Sequence, residues 1–152
     1  MKLRSIIFVM ACVLLVQPMV FAQGNAAGQA QSATLYQRLG GYDALAAVTD
    51  DFITRLATDP QLGRFFTGFS NDSKVRIRQH VVDFLCVATG GPCKYTGRDL
   101  KTSHTGLGIT ESDWSLTVKH LAATLDKFKV PEKEKNEVLQ AIASQKGDIV
   151  GR

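Results

Sequence analysis

Tyr95-Thr96-Gly97-Arg98 leads through Asp99 to Ser103-His104-Thr105-Gly106-Leu107-Gly108-Ile109-Thr110, and the reading of this glycine-punctuated stretch decides the fold. Apolar repeats of helical period flank it on both sides, while its own composition leaves room for only one or two turns of helix around Asp99 to His104. A long segment of this kind inside a small domain is usually functional. Upstream lie Phe65-Phe66 and a helical pattern that carries His80. This arrangement suits a chain that wraps a flat apolar cofactor and holds its metal from one side.

Outward from that stretch, apolar residues recur at helical spacing and no alternating strand pattern is present, so the expected class is all-α. Leu45, Val48, Phe52, Ile53 and Leu56 mark the inward side of a helix from about Tyr42 to Ala57, entered through Gly40-Gly41 and stopped by Asp59-Pro60. Leu62 to Phe66 can form only a short turn of helix. Ser70-Asn71-Asp72-Ser73 then offers an N-cap to a helix over Lys74 to Thr89, with Ile77, Val81, Phe84, Leu85 and Ala88 on one face. Gly90-Gly91-Pro92 ends it. Thr110-Glu111-Ser112-Asp113 opens a helix to about Lys129, with Trp114, Val118, Leu121, Leu125 and Phe128 expected on its buried face. Pro131 begins a last helix bearing Val138, Leu139 and Ile142, which should pair with its predecessor in antiparallel fashion.

The first residues read differently. Lys2 and Arg4, the apolar Ile6 to Val16 and the small-residue end Val20-Phe21-Ala22 have the form of a secretory signal peptide over residues 1–22. The competing reading is a retained anchor; Pro18 and the polar Gln23-Gly24-Asn25 favour release, and too few apolar residues precede Cys12 for a lipid anchor there. A flexible leader over 23–33 and one domain over 34–150 follow, in an exported, periplasmic product with no stable membrane insertion after cleavage. Loss of Lys2 and Arg4 lowers the net charge from +4 to +2, too weak a balance to point to nucleic acid, and basic residues are not interleaved with aromatics. Cys86 and Cys93 remain, and the residues leave open whether they bridge or stay as a buried thiol and a loop thiol.

Taken in order, Leu35-Tyr36-Gln37-Arg38-Leu39-Gly40-Gly41, Phe65-Phe66, Gly90-Gly91-Pro92, Tyr95-Thr96-Gly97-Arg98 and His104-Thr105-Gly106-Leu107-Gly108-Ile109-Thr110 resemble the group 1 truncated haemoglobins. The resemblance covers roughly Thr34 to Val150. It implies a two-over-two helical sandwich, a first helix reduced to a turn, and a mostly unwound segment ahead of a proximal histidine.

On that resemblance, His104 is the proximal ligand of a b-type haem (iron protoporphyrin IX), with a partner on its other ring nitrogen to set the tautomer; spacing alone would also suit a surface histidine beside a flexible loop. A C-x-x-C-H signature is absent, so attachment through cysteine thioethers is not expected. Phe66 matches the aromatic that family members stack on the haem, and Leu100, Ile109, Trp114 and Val118 fall at proximal and edge contacts; ordinary core is the alternative for each. Tyr95, Arg76 and Lys101 are candidates for the haem propionates, or else a solvated face. On the distal side the chain departs from the family. Ile53, beside Phe52, stands where many members place a tyrosine, and Ile77 and Val81 occupy positions that are often polar. His80 is the remaining distal candidate, either a second metal ligand or donor within the pocket, or a residue facing solvent like Arg78 and Gln79. His120 reads as structural or surface. Leu85 stands where some relatives carry a bulkier aromatic near an apolar tunnel.

The resemblance therefore implies binding of oxygen, nitric oxide or carbon monoxide, with nitric oxide dioxygenase or peroxidase-like turnover as reactions such a haem could support given an electron donor. Two other readings are a bis-histidine electron carrier through His80 and His104, and a haem-free helical interaction module. No acid–base pair, nucleophile triad or phosphate loop stands out; Gly40-Gly41 and Gly90-Gly91 sit at helix boundaries, where turn geometry explains them.

Overall fold

The structure, a computed structural model, describes residues 33–152. The expected signal segment (1–22), and the expected leader (23–33) apart from Ala33, lie outside the described residues. The described part is entirely helical: α1 (Leu35–Arg38), α2 (Gly41–Thr58), a 3-10 turn (Gly63–Phe66), α3 (Asn71–Ala88), α4 (Leu100–His104), α5 (Glu111–Lys127), α6 (Glu132–Ala143) and α7 (Lys146–Ile149). No helix among the described residues is long and apolar enough to cross a membrane.

Local chemistry sets most of these boundaries. The Thr34 and Thr110 hydroxyls accept from the backbone N–H three residues on, and the Gln37 and Asp113 side chains reach back to close capping boxes on α1 and α5. Ser70 caps α3, which therefore starts three residues before the expected Lys74. Asp99 caps α4 through the Thr102 N–H at 2.8 Å and the Thr102 hydroxyl at 2.7 Å. Asp59 ends α2 in extended backbone, and its carboxylate accepts from the Gln61 and Leu62 N–H groups. The His120 ring, 2.8 Å from that carboxylate, makes His120 a structural residue and is the largest cause holding the Asp59 carboxyl below its ordinary range.

Helices α2 and α3 pack as one pair and α5 and α6 as another, with α2 also against α5, which is the expected two-over-two sandwich. Val48 of α2 meets Leu121, Leu125 and Val138 in one core cluster; Leu45, Leu85 and Cys86 form a second. The Arg78 guanidinium donates to both Asp50 oxygens (2.6 and 2.9 Å), and the Gln79 amide donates to the Tyr42 hydroxyl (2.8 Å). These bonds turn that side of α3 toward α2, where solvent was the expectation for Arg78 and Gln79.

One core expectation is corrected. Phe128 is 40 % exposed, because α5 ends at Lys127 and the chain reverses through Lys129 at φ 55 instead of carrying the apolar stripe one turn further. Cys86 and Cys93 are bridged, with Cα atoms 5.8 Å apart, which resolves the alternative left open by the sequence.

Candidate functional site

A cleft of about 820 Å³ opens between α3 on one side and α4 with the start of α5 on the other. That lies within the range of roughly 300–1,000 Å³ usual for cofactor pockets. The first half of the α2 stripe, Leu45 and Val48, is core, whereas Phe52, Ile53 and Leu56 reach the cleft. Helix α3 contributes Ile77, His80, Val81 and Phe84, which share one face at spacings of three, four and seven residues. Phe66 enters from the 3-10 turn, and Leu100, Ile109 and Trp114 form the opposite wall.

His104, the last residue of α4, is partly buried and lines this cleft. Its Nδ1 lies 2.7 Å from the Leu100 carbonyl oxygen. A carbonyl can only accept, so in the neutral ring Nδ1 carries the proton and Nε2 keeps its lone pair. That is the state a metal-ligating imidazole requires. Among the described residues no group of three or more His, Cys, Asp or Glu is placed to hold a bare ion. The donor set is thus poor for a naked cation and fits a metal that arrives with its own macrocycle. The apolar walls agree with that.

Across the cleft His80 is also present, and its Nδ1 is buried with no hydrogen-bond partner. An unpartnered buried ring nitrogen carries a desolvation cost unless something else satisfies it. The Tyr95 ring packs T-shaped against His80, at 6.0 Å between centroids and 70° between planes, and against Phe84, at 6.0 Å and 74°. The Tyr95 hydroxyl donates to the Arg98 carbonyl at 2.7 Å, so its proton is not free for a carboxylate. Burial raises the Tyr95 phenol above its ordinary pKa.

Two of the expected site residues do not reach the cleft. Lys101 is exposed on α4, where successive side chains turn by about 100° and Leu100 and His104 already take the inward direction. Val118 is half-buried and turned away; Thr117 is inward instead, because the stripe on α5 runs Trp114, Thr117, Leu121. Arg98, absent from the sequence-based candidates, borders the cleft along with Arg76. Neither guanidinium joins an ion pair among the described residues, so both are available to an anion at the mouth. Arg98 was hidden because its position follows from the non-helical path after Gly91, which has no periodicity to read.

Asp113 supports the cleft from below. It is fully buried, and it accepts from the Gln61 amide (2.7 Å), the Arg64 guanidinium (2.8 Å), and the Thr110 N–H (2.9 Å) and hydroxyl (2.7 Å). Burial pushes its pKa up, but these bonds outweigh burial and hold it at about 2.

Residues 34–150 match the family described as Bacterial-like globin. The group 1 truncated haemoglobin GlbN of Mycolicibacterium paratuberculosis is 41% identical over 115 residues, covering 76% of this chain and 82% of its own length. The corresponding protein of Nostoc commune is 31% identical over 120 residues, covering 79% and 99%. Among solved structures, the Fe(III) form of the truncated haemoglobin from Tetrahymena pyriformis superimposes with a TM-score of 0.72 at 28% identity, over 79% of this chain and all (100%) of that one. Chlamydomonas reinhardtii THB1 gives a TM-score of 0.67 at 32% identity, over 80% and 100%.

Proposed function

We propose, from the premise that the chain belongs to the bacterial-like globins and within them to the group 1 truncated haemoglobins, that it carries haem b on His104 and binds diatomic gases beside His80. Haem-based gas binding follows from that membership; the ligand set, the gases and the compartment are our reading. The observation that carries it is the His104 ring, held by Leu100 with one lone pair left over, in a cleft walled by Phe66, Ile109 and Trp114.

When bound, the haem supplies an iron centre at which a small neutral gas can coordinate. The chain does the rest. Nδ1 of His104 holds its proton on the Leu100 carbonyl, fixing tautomer and ring direction together. Apolar walls exclude water, while Arg76 and Arg98 offset carboxylate charge at the mouth. Phe52, Ile53, Ile77 and Val81 offer no donor, so any hydrogen bond to a polarised ligand, about 0.5–1.5 kcal/mol net, falls to His80. His80 is the distal imidazole, free to coordinate or to donate. Both remaining cysteines are taken by the Cys86–Cys93 bridge, which favours non-covalent haem b over thioether attachment.

In support of export stand the signal-like residues 1–22 and that same bridge, a bond that persists in oxidising compartments. The mass of the chain recovered from the periplasm tests it: cleavage after Ala22 is expected, and an intact N-terminus in a cytoplasmic fraction rejects it. For the haem site, the absorption spectrum of the purified protein should show a haem band that His104→Ala weakens or abolishes. Unchanged haem retention and spectrum in that variant would falsify the ligand assignment. Because His80 shares the cleft with His104, a bis-histidine electron carrier with an unidentified electron donor is the second reading. His80→Ala then converts a six-coordinate ferrous spectrum to a five-coordinate one; a wild type already five-coordinate removes both the internal ligand and the electron carrier.

A further inference from the structure

Between α3 and α4 the chain runs without secondary structure, and residues 92–97 exchange no backbone hydrogen bond with any described residue. Such a segment is expected to be the least fixed part of a fold of this size. It nevertheless carries Tyr95, whose ring packs against both His80 and Phe84. What fixes it is local and covalent. The Gly91 N–H donates to the Cys86 carbonyl at 2.7 Å, and Cys93 is bonded to Cys86, six residues beyond His80 on the same helix. The Tyr95 ring then folds back over Gly97, where an added Cβ would stand 2.4 Å from the hydroxyl oxygen. At Gly91 an added Cβ would meet the Tyr36 ring at 2.5 Å and the Cys86 sulfur at 2.6 Å.

We propose that Tyr95 is a positioning residue for His80 and that the Cys86–Cys93 bridge is the tether that keeps it one. The inference rests on His80 being the distal group. No hydrogen bond fixes the His80 ring at Nδ1, so packing sets its orientation, and the Tyr95 ring is its aromatic contact among the described residues. Because tether and histidine stand on one helix, the loop and the ring it steers move as a unit with α3. A crosslink closing so short a loop removes freedom from a segment that has no ladder or helix of its own. Without it, Tyr95 leaves the His80 ring and the imidazole samples other orientations, so that it would hold a haem-bound position less often.

The test uses the haem-loaded full chain and reads the six-coordinate fraction from ferric and ferrous spectra, with the carbon monoxide association rate beside it. His80→Ala comes first: if it changes neither reading, the distal role of His80 fails and this inference with it. Where His80→Ala does abolish the six-coordinate form, Tyr95→Ala and Cys93→Ser should each shift the equilibrium toward the open form by about two- to tenfold, the range of one aromatic contact. Tyr95→Phe, which keeps the ring, should retain the wild-type signature. A purely structural bridge would lower the unfolding midpoint without moving the spectrum. Spectra of Tyr95→Ala and Cys93→Ser identical to wild type therefore overturn the proposal while leaving His80 in place. Should Cys93→Ser not fold by circular dichroism, the folded wild type is reduced with a water-soluble phosphine. There the S–S bond becomes two thiols, the phosphine becomes its oxide with oxygen taken from water, and the same shift is expected.

Discussion

Asp113 shows how much one residue can organise. It closes the capping box of α5, anchors Gln61 and Arg64 from the connection after α2, and borders the cleft beside Trp114. Its pKa in the fold is about 2, below the ordinary 3.8, so its contribution to stability is complete above about pH 4. That contribution is lost as pH falls from there toward 2. Asp113→Asn keeps the shape and removes the charge, and it should therefore flatten the stability-against-pH curve over that window while lowering stability at neutral pH. Urea titrations of both proteins at pH 2, 4 and 7 measure this; equal acid slopes would show that Asp113 is not the titrating group. At this same scale, the sequence points to Lys101 and passes over Arg98, yet Arg98 borders the cleft and Lys101 does not. Only the direction each side chain takes from its backbone separates them.

Among the elements, α7 and α4 depend on each other. Helix α4 has five residues, too few to be stable alone, and it packs against α7 at the end of the chain. The Gly151 N–H adds a bond to the Ile109 carbonyl at 3.0 Å, bracing the segment just after His104. Truncation after Ser144 should accordingly loosen the proximal side and speed haem loss to an acceptor apoprotein severalfold, with far-UV circular dichroism little changed. Haem loss at the wild-type rate would show that α4 holds His104 unaided. A cap test belongs beside it: Thr110→Ala removes the α5 N-cap acceptor and should cost about 1 kcal/mol in thermal or urea unfolding. Helices α2, α3, α5 and α6 are legible in the sequence because each repeats its apolar residues over several turns and announces its ends with Ser, Thr, Asp, Gly or Pro. Helix α7, with four residues that include Gly147, has no period to find.

For the whole molecule, the core is divided. Two small clusters hold the helix pairs, and a large apolar cleft lies open between α3 and α4–α5. Leu85 and Leu121 border both that cleft and a separate interior cavity of about 20 Å³, so ligand site and core share walls. A cofactor filling the cleft completes the core and stabilises the folded state by mass action, by about 4 kcal/mol at a thousandfold excess over its dissociation constant. Haem addition should raise the unfolding midpoint, and His104→Ala should diminish the rise. Equal midpoints with and without haem would sink the assignment of the cleft.

The order of α2, α3, α5 and α6, the caps of α3 and α5 and the all-α class were already written in the residues, because period and cap chemistry act over a few neighbours and need no partner; the role of His104 came from the resemblance of several motifs taken together. Tertiary structure alone decided which nitrogen of His104 is bonded, that His80 looks inward while Arg78 and Gln79 tie α3 to α2, that Cys86 joins Cys93, and that Arg98 rather than Lys101 borders the cleft. The reason is rotational: a step of one residue turns a helical side chain by about 100°, so its direction is fixed only when the whole helix meets its neighbours.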